Sequence, residues 1–226
     1  MKTVLRLEKS NLSSRTYDQI RSALMNGEYS PGERLRIANL AESLGISITP
    51  VREALFRLVS EQALEMTAAT SIKVPELDAS TVEEIQLMRR LLEGAAAERA
   101  ALHATKSEIE ELAEIHERFI EAVSTSSTDA ARINRDFHFK LMETARMPSL
   151  YDTVASMWVR MGPLLQIFHS HLPGREISNR NHPHYRVLSG LKKKDAAATS
   201  RAIQEDIAWG EKILLEWMAQ NVVREA

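Results

Sequence analysis

The sequence predicts a mainly α protein in two parts: a small unit of three helices and a β-hairpin, then an antiparallel all-helical bundle of about six helices. Three observations carry this reading. Gly and Pro punctuate the first third of the chain and thin out afterwards. Apolar residues recur at helical spacing through most of the sequence. Short β-prone pieces occur in one place, between Leu64 and Val74. With 226 residues, 44% of them apolar, the chain can bury a real core without covalent staples. Its length allows one large domain or two small ones, and the punctuation places the division at residues 1–75 and 76–226.

Each element has a local cause. Tyr17, Ile20, Leu24 and Met25 mark a first helix over about 14–26, and Glu28-Tyr-Ser-Pro-Gly32 is a dense turn signal. Ile37, Leu40, Ala41 and Leu44 mark a short second helix that stops at Gly45. Ser47-Ile-Thr-Pro50 supplies a polar cap and an early proline for a third helix over Val51–Gln62. A small hairpin turning around Ala68–Thr70 follows, and Pro75 closes the unit. Beyond it, Ser80-Thr-Val-Glu83 and Thr105-Lys-Ser-Glu108 both fit the capping box, predicting helices over about 80–103 and 106–125. Ser126–Asp129 opens another helix to about Arg146, and Met147-Pro148 restarts one to about His169. Pro173 and Gly174 break that helix; one from about Arg175 to Lys193 follows, and Asp195 precedes the last, to about Val222.

Composition excludes several classes of function. Without cysteine there is no disulfide framework, thiolate metal site or cysteine nucleophile. Apolar runs such as Met161–Gln166 and Ile213–Leu215 are too short to span a bilayer. MKTVLRLEKSN at the start has no continuous apolar segment, so no secretory signal and no membrane partner are expected, and the protein is expected in the cytoplasm. Residues 1–75 carry 10 Lys/Arg against 8 Asp/Glu, and the remainder 19 against 23, a mild asymmetry. It permits nucleic-acid binding without indicating it.

Gly45-Ile-Ser-Ile-Thr-Pro-Val-Arg-Glu-Ala-Leu-Phe-Arg-Leu58, preceded by Ser30-Pro-Gly-Glu-Arg-Leu35 and Leu40-Ala-Glu42, resembles the winged helix-turn-helix of GntR-family transcription regulators over about residues 14–75. The resemblance implies that the third helix enters the major groove of double-stranded DNA. Ser47 and Thr49 would then meet phosphates, Arg52 a guanine edge or a phosphate, and Arg36 and Arg57 would flank the same surface. Ile48 stands where the family usually has an arginine, Ala38 where many relatives carry one, and Ala68-Ala-Thr-Ser71 where the wing normally has a glycine. Each missing arginine is expected to weaken charge-driven affinity and to flatten the salt slope by about one unit.

Arg89-Arg-Leu-Leu-Glu93, Asn134-Arg-Asp-Phe-His138 and His184-Tyr-Arg-Val-Leu188, followed by Asp195 and Asp206, resemble the FadR-type C-terminal domain of that family, in its metal-binding FCD branch. In metal-binding relatives the ligands are an Asp or Asn, the His four residues later, and two histidines on the last two helices. The matching positions are Asn134, His138, His184 and Asp206, with Asp206 standing where the family usually has a third histidine. Asn134 and His138 share one helical face. This set suits a divalent ion such as zinc, nickel or manganese. Arg89 and Arg160 are the candidates for holding the carboxylate of a small metabolite effector, and Met88, Met142, Met157, Met161 and Phe168 for an apolar wall. Of the other histidines, His103 and His116 read as helix-surface residues, His169 and His171 lie by the Pro173 break, and His182 sits off the helical face of His184. Lys192–Lys194 reads as a solvated helix end.

The expected function is a homodimeric regulator, most often a repressor in this family, that reads a palindromic operator and responds to a small organic acid. Two alternatives remain at this stage: a metal-dependent hydrolase using the His/Asp cluster, and a dimeric DNA-binding protein without a metal.

Overall fold

The structure, a computed structural model, describes residues 10–68, 71–171 and 182–222. Its order is α1 (Ser10–Met25), β1 (Arg34–Leu35), α2 (Ile37–Leu44), α3 (Ile48–Ser60), β2 (Glu65–Ala68), β3 (Ser71–Lys73), α4 (Ala79–His103), α5 (Lys106–Thr125), α6 (Ser127–Thr144), α7 (Pro148–His171), α8 (Pro183–Lys193) and α9 (Ala196–Val222). The protein is therefore mainly α with one small antiparallel sheet. Two compact units emerge: one runs to Glu76 and takes in Trp158–Leu164, and the other comprises the rest of the chain from Leu77. The expected hairpin tip at 69–70, the break at Pro173-Gly174 and the start of the helix expected from Arg175 lie outside the described residues. So do the side chains of Phe168, His169 and His171.

In the first unit, Tyr17, Ile20 and Leu24 of α1 pack with Val51, Leu55 and Leu58 of α3 in an apolar core. Gly45 caps α2 in the left-handed region, at φ 64°, where a side chain is strained; its N–H and that of Ile46 then satisfy the carbonyls of Glu42 and Ala41. That turn separates α2 from α3 as the helix-turn-helix requires. The sheet has three strands in the order β1-β3-β2. Sequence reading expected two, because β1 is only the pair Arg34–Leu35 and makes no alternating pattern; its pairing with Lys73 and Ile72 is what defines it. Across β2 and β3, Lys73 faces Glu65 and its ammonium lies 2.8 Å from that carboxylate.

In the second unit α9 packs along α4 and α8, and α5 packs along α6. Gly94 permits the first of these contacts: a Cβ there would lie 2.4 Å from the side chain of Gln204. Thr105 and Glu108 form the expected capping box at α5, Ser126 accepts from the amide of Asp129 at α6, and Asp195 accepts from Ala198 ahead of α9. The α4 start differs from expectation. Asp78, not Ser80, is the N-cap and accepts from the amide of Thr81. The helix thus starts two residues earlier than a Ser80 cap would set it, and the Ser80 hydroxyl itself donates to Asp78 at 3.1 Å. No helix among the described residues is long and apolar enough to cross a membrane.

Candidate DNA-binding face and buried histidine cluster

The face presented by the start of α3 is polar and unspent. Ser47 occupies the N-cap position yet makes no capping hydrogen bond through its side chain. Ser47, Thr49 and Arg52 are all exposed, and none of their side chains has a partner within the chain among the described residues. Arg36, at the N-cap of α2, is likewise exposed and caps nothing. Ile48 and Phe56 are exposed as well, at 46% and 42%. With Arg52 between them at i, i+4 and i+8 they form one stripe along the helix. Phe56 lies off the face that buries Val51, Ala54, Leu55 and Leu58, so its exposure was legible in the spacing although the sequence reading did not single it out.

Arg57 does something other than expected. Its guanidinium stacks 3.6 Å from the centroid of the Tyr17 ring and pairs with Glu61 at 3.1 Å, while the Tyr17 hydroxyl donates to Glu61 at 2.7 Å. Burial, together with the Glu61 bond, pushes the Tyr17 phenol up to about 12. Arg57 thus clamps α1 to α3.

In the second unit, polar groups from five helices meet in the core. Arg89 and Glu93 of α4 are one helical turn apart and pair at 2.7 Å, and Arg89 also donates to Gln86 at 2.9 Å. Glu93 continues to His138 of α6, with 2.6 Å from Oε2 to Nδ1, and His138 Nε2 lies 3.1 Å from Asp206 of α9. Both ring nitrogens of His138 therefore face carboxylates. Burial opposes its charge, but the negative charge of Glu93 and the hydrogen bonds of Asp206 and Glu93 outweigh it and raise His138 to about 9. Burial likewise opposes ionisation of Asp206, yet the imidazoles of His184 and His138 hold it well below the usual carboxylate range.

Three more imidazoles adjoin this chain. His184 of α8 is fully buried, with Nδ1 3.2 Å from Nδ1 of His116 on α5 and Nε2 3.6 Å from Asp206. His182, the N-cap of α8, accepts from the amide of His184 at 3.3 Å and lies 3.7 Å from Asp206. Phe137 stacks on His184 at 3.8 Å, and Tyr185 meets His116 edge-on at 4.3 Å. This aromatic enclosure keeps the rings neutral: burial first, then neighbouring imidazoles, push His116 down to about 3 and His182 to about 4.

His116 and His182 correct the sequence reading. His116 is not on the surface, because α8 covers the face of α5 that carries it. His182 does not follow helical face geometry, because a cap residue has extended backbone and its ring turns back beside His184, 4.5 Å between centroids. Glu93 was visible only as part of a motif; its role as the hinge of the charge chain needed the fold. Arg89 is spent on Glu93 and Gln86 rather than open to an effector. Arg160 falls within Trp158–Leu164, the α7 segment of the first unit, and its Nε is buried without a hydrogen-bond partner among the described residues. Asn134, half-buried one turn before His138, makes no hydrogen bond to the cluster among the described residues. Of the expected apolar wall, Met142, Met157 and Met161 are buried core residues.

The donor chemistry fits a divalent ion. His138, His184 and Asp206 offer ligand atoms within 4.8 Å of one another, and so do His116, His182 and His184. The ring nitrogens His184 Nε2 and His116 Nε2 are buried without a hydrogen-bond partner among the described residues. The carboxylate of Glu93 behind His138 matches the outer support of metal-bound imidazoles.

Comparison with known proteins decides what carries this pair of features. Residues 12–74 match the bacterial regulatory proteins of the gntR family, and residues 84–208 match the FCD domain. The chain belongs to the GntR family, with an FCD domain of the FadR type. A 201-residue stretch is 32% identical to the HTH-type transcriptional regulator McbR of Escherichia coli (strain K12), covering 88% of this chain and 91% of that protein. The Nta operon transcriptional regulator of Aminobacter aminovorans is 31% identical over 170 residues, 75% of this chain and 80% of that one. The solved structure of E. coli McbR/YncC aligns with a TM-score of 0.85 at 32% identity, over 93% of this chain and 100% of that one. This GntR protein is accordingly a DNA-binding transcription regulator and not an enzyme, which disposes of the hydrolase alternative.

Proposed function

We propose that this GntR protein is a homodimeric repressor that acts in the cytoplasm on a palindromic operator and is controlled by a small organic acid bound in its FCD domain, with a divalent ion at the cluster around His184. The observation that carries the DNA half is the start of α3, where Ser47, Thr49 and Arg52 are exposed and unpartnered among the described residues. Hydroxyls at a helix N-terminus suit phosphate oxygens and an arginine one turn in suits a base edge. Ile48 and Phe56 present apolar surface on the same stripe, the chemistry that meets a thymine methyl. Two such helices one turn of DNA apart read a two-fold site, which is the reason for the dimer.

The control half rests on charge. Among the described residues of the cluster the charges cancel in two pairs, Arg89 with Glu93 and His138, raised to about 9, with Asp206. A divalent ion there leaves positive charge for a carboxylate to balance. Zinc, nickel or manganese would supply a Lewis-acidic anchor for that carboxylate. The effector shifts operator affinity only as far as it prefers one of two states of the protein.

Selection of genomic fragments by the purified protein tests this reading. At low salt, enrichment of one or a few palindromic sites is expected, with thymine-rich steps opposite Ile48. Retention of no fragment, with and without added divalent metal, overturns it.

A further inference from the structure

The outer side of α4 departs from the pattern of a solvated helix. Its inward side buries Val82, Ile85, Arg89, Glu93, Ala96 and Ala100. The opposite side of such a helix is ordinarily polar, yet Leu87, Leu91 and Leu102 stand on it, 48%, 60% and 56% exposed. Among the described residues of the second unit, these are the only large apolar side chains left exposed. With the exposed Ala95 between them they follow one line at helical spacing, about 22 Å from end to end. Apolar exposure gathered into one line marks a contact surface, whereas scattered single residues do not.

We propose that this line is the seam on which a second copy of the chain docks, with the two α4 helices antiparallel and meeting at Leu91. The proposal rests on the reading of this protein as a homodimer and assigns that dimer its interface.

Three features fit a second copy. In a two-fold interface one residue meets its own equivalent on the axis. Leu91, the most exposed of the three leucines, is the middle residue of α4 (Ala79–His103), so an axis there engages both halves of the helix equally. The same axis sets Leu87 opposite the small Ala95 of the partner subunit. The charges on the rim are complementary as well. Glu84 is exposed without an ion-pair partner, and Arg99 is exposed with its Nε on the carbonyl of Ala145 and no carboxylate partner, both among the described residues. Antiparallel pairing brings Glu84 beside Arg99 of the partner subunit, twice by symmetry, and that cation also answers its own neighbour Glu98. Parallel pairing sets Glu84 on Glu84 and Arg99 on Arg99, which disfavours it.

The chain has no cysteine, so Leu91→Cys supplies one thiol whose disulfide can form only between copies. Packed helices about 8–10 Å apart bring equivalent facing residues within disulfide reach. Mild oxidation of the full-length Leu91→Cys protein is expected to give a covalent dimer, while Glu110→Cys, at an exposed position of α5, stays monomeric in a denaturing gel. By sedimentation equilibrium, Leu91→Glu is expected to weaken dimerisation at least about thirtyfold, with an unchanged circular dichroism spectrum. Glu84→Arg and Arg99→Glu should each weaken it and the double exchange should restore it; a double exchange no tighter than the single ones overturns the antiparallel register. If the parent is a dimer, Leu91→Glu sediments like the parent and Leu91→Cys gives no covalent dimer, the copies meet elsewhere; this assignment falls and the homodimer reading stands. If the parent is monomeric both alone and on the genomic fragments it retains, the assignment and the homodimer reading fall together, and α4 faces some other partner.

Discussion

The two halves of the chain use polar side chains in opposite ways. In the winged helix-turn-helix the core is apolar and the groups proposed to meet DNA, Ser47, Thr49 and Arg52, stand on the surface with no partner among the described residues. In the FCD domain the groups of the proposed site are the core: Arg89, Glu93, His138, His184 and Asp206 are buried and answer one another. The first half is stable whatever becomes of its functional residues. In the second, function and stability are carried by the same contacts, so a change to one is a change to both.

The sharpest way to break this contrast is to remove one charge from each half. Glu93→Gln leaves the Arg89 guanidinium buried without its carboxylate and is expected to cost about 3–5 kcal/mol in urea unfolding. Glu53→Gln, which removes the exposed partner of Ser13, is expected to cost less than about 0.5 kcal/mol. Equal losses would show that the buried chain contributes no more than a surface contact.

Acid should separate the halves next. His116 and His182 are held near 3 and 4, below the unfolded value of about 6.5. Their stabilisation is present above 6.5 and is lost as pH falls toward those values, about 2 kcal/mol for each between pH 6.5 and 5. His138 has the opposite sign: raised to about 9, it stabilises fully below 6.5 and loses that effect as pH rises through 9. All seven histidines lie beyond residue 76. In metal-free protein, hydrogen exchange at pH 5 should show FCD amides losing protection while those of α1 and α3 keep theirs.

Arg52→Ala should act only on function. A loss of about 1–3 kcal/mol in operator affinity is expected, read by a binding titration at fixed salt, with an unchanged melting temperature. The smallest contrast compares two helix starts. Ser47→Ala removes no cap and is expected to change stability by less than about 0.5 kcal/mol while weakening DNA binding; Thr105→Ala breaks a capping box and should cost about 1 kcal/mol with DNA affinity unchanged.

The same contrast explains what the sequence revealed. Surface groups on one helix need no tertiary partner, so the start of α3 reads directly from contiguous residues, as do Gly45, Thr105 and Ser126. The cluster is assembled from α4, α5, α6, α8 and α9, and only its motif-bearing members, Arg89, Glu93, His138, His184 and Asp206, were visible in advance. His116 was read as a surface residue from its polarity, although it falls four residues after Leu112 and three before Phe119, on the stripe that α5 buries. The strand β1 was missed because it is defined by its partner in β3. Arg57 and Arg89 read as binding groups because charge alone does not show which of them has been answered from within.

The enclosure of His184 has a kinetic consequence. A site in which His116 and His184 are wholly shut off from solvent exchanges its occupant only when helices part. Loading and release then run at the rate of local opening, and at high ligand the loading rate levels off instead of rising with concentration. A regulator built this way holds a memory of its last occupant for as long as one opening takes.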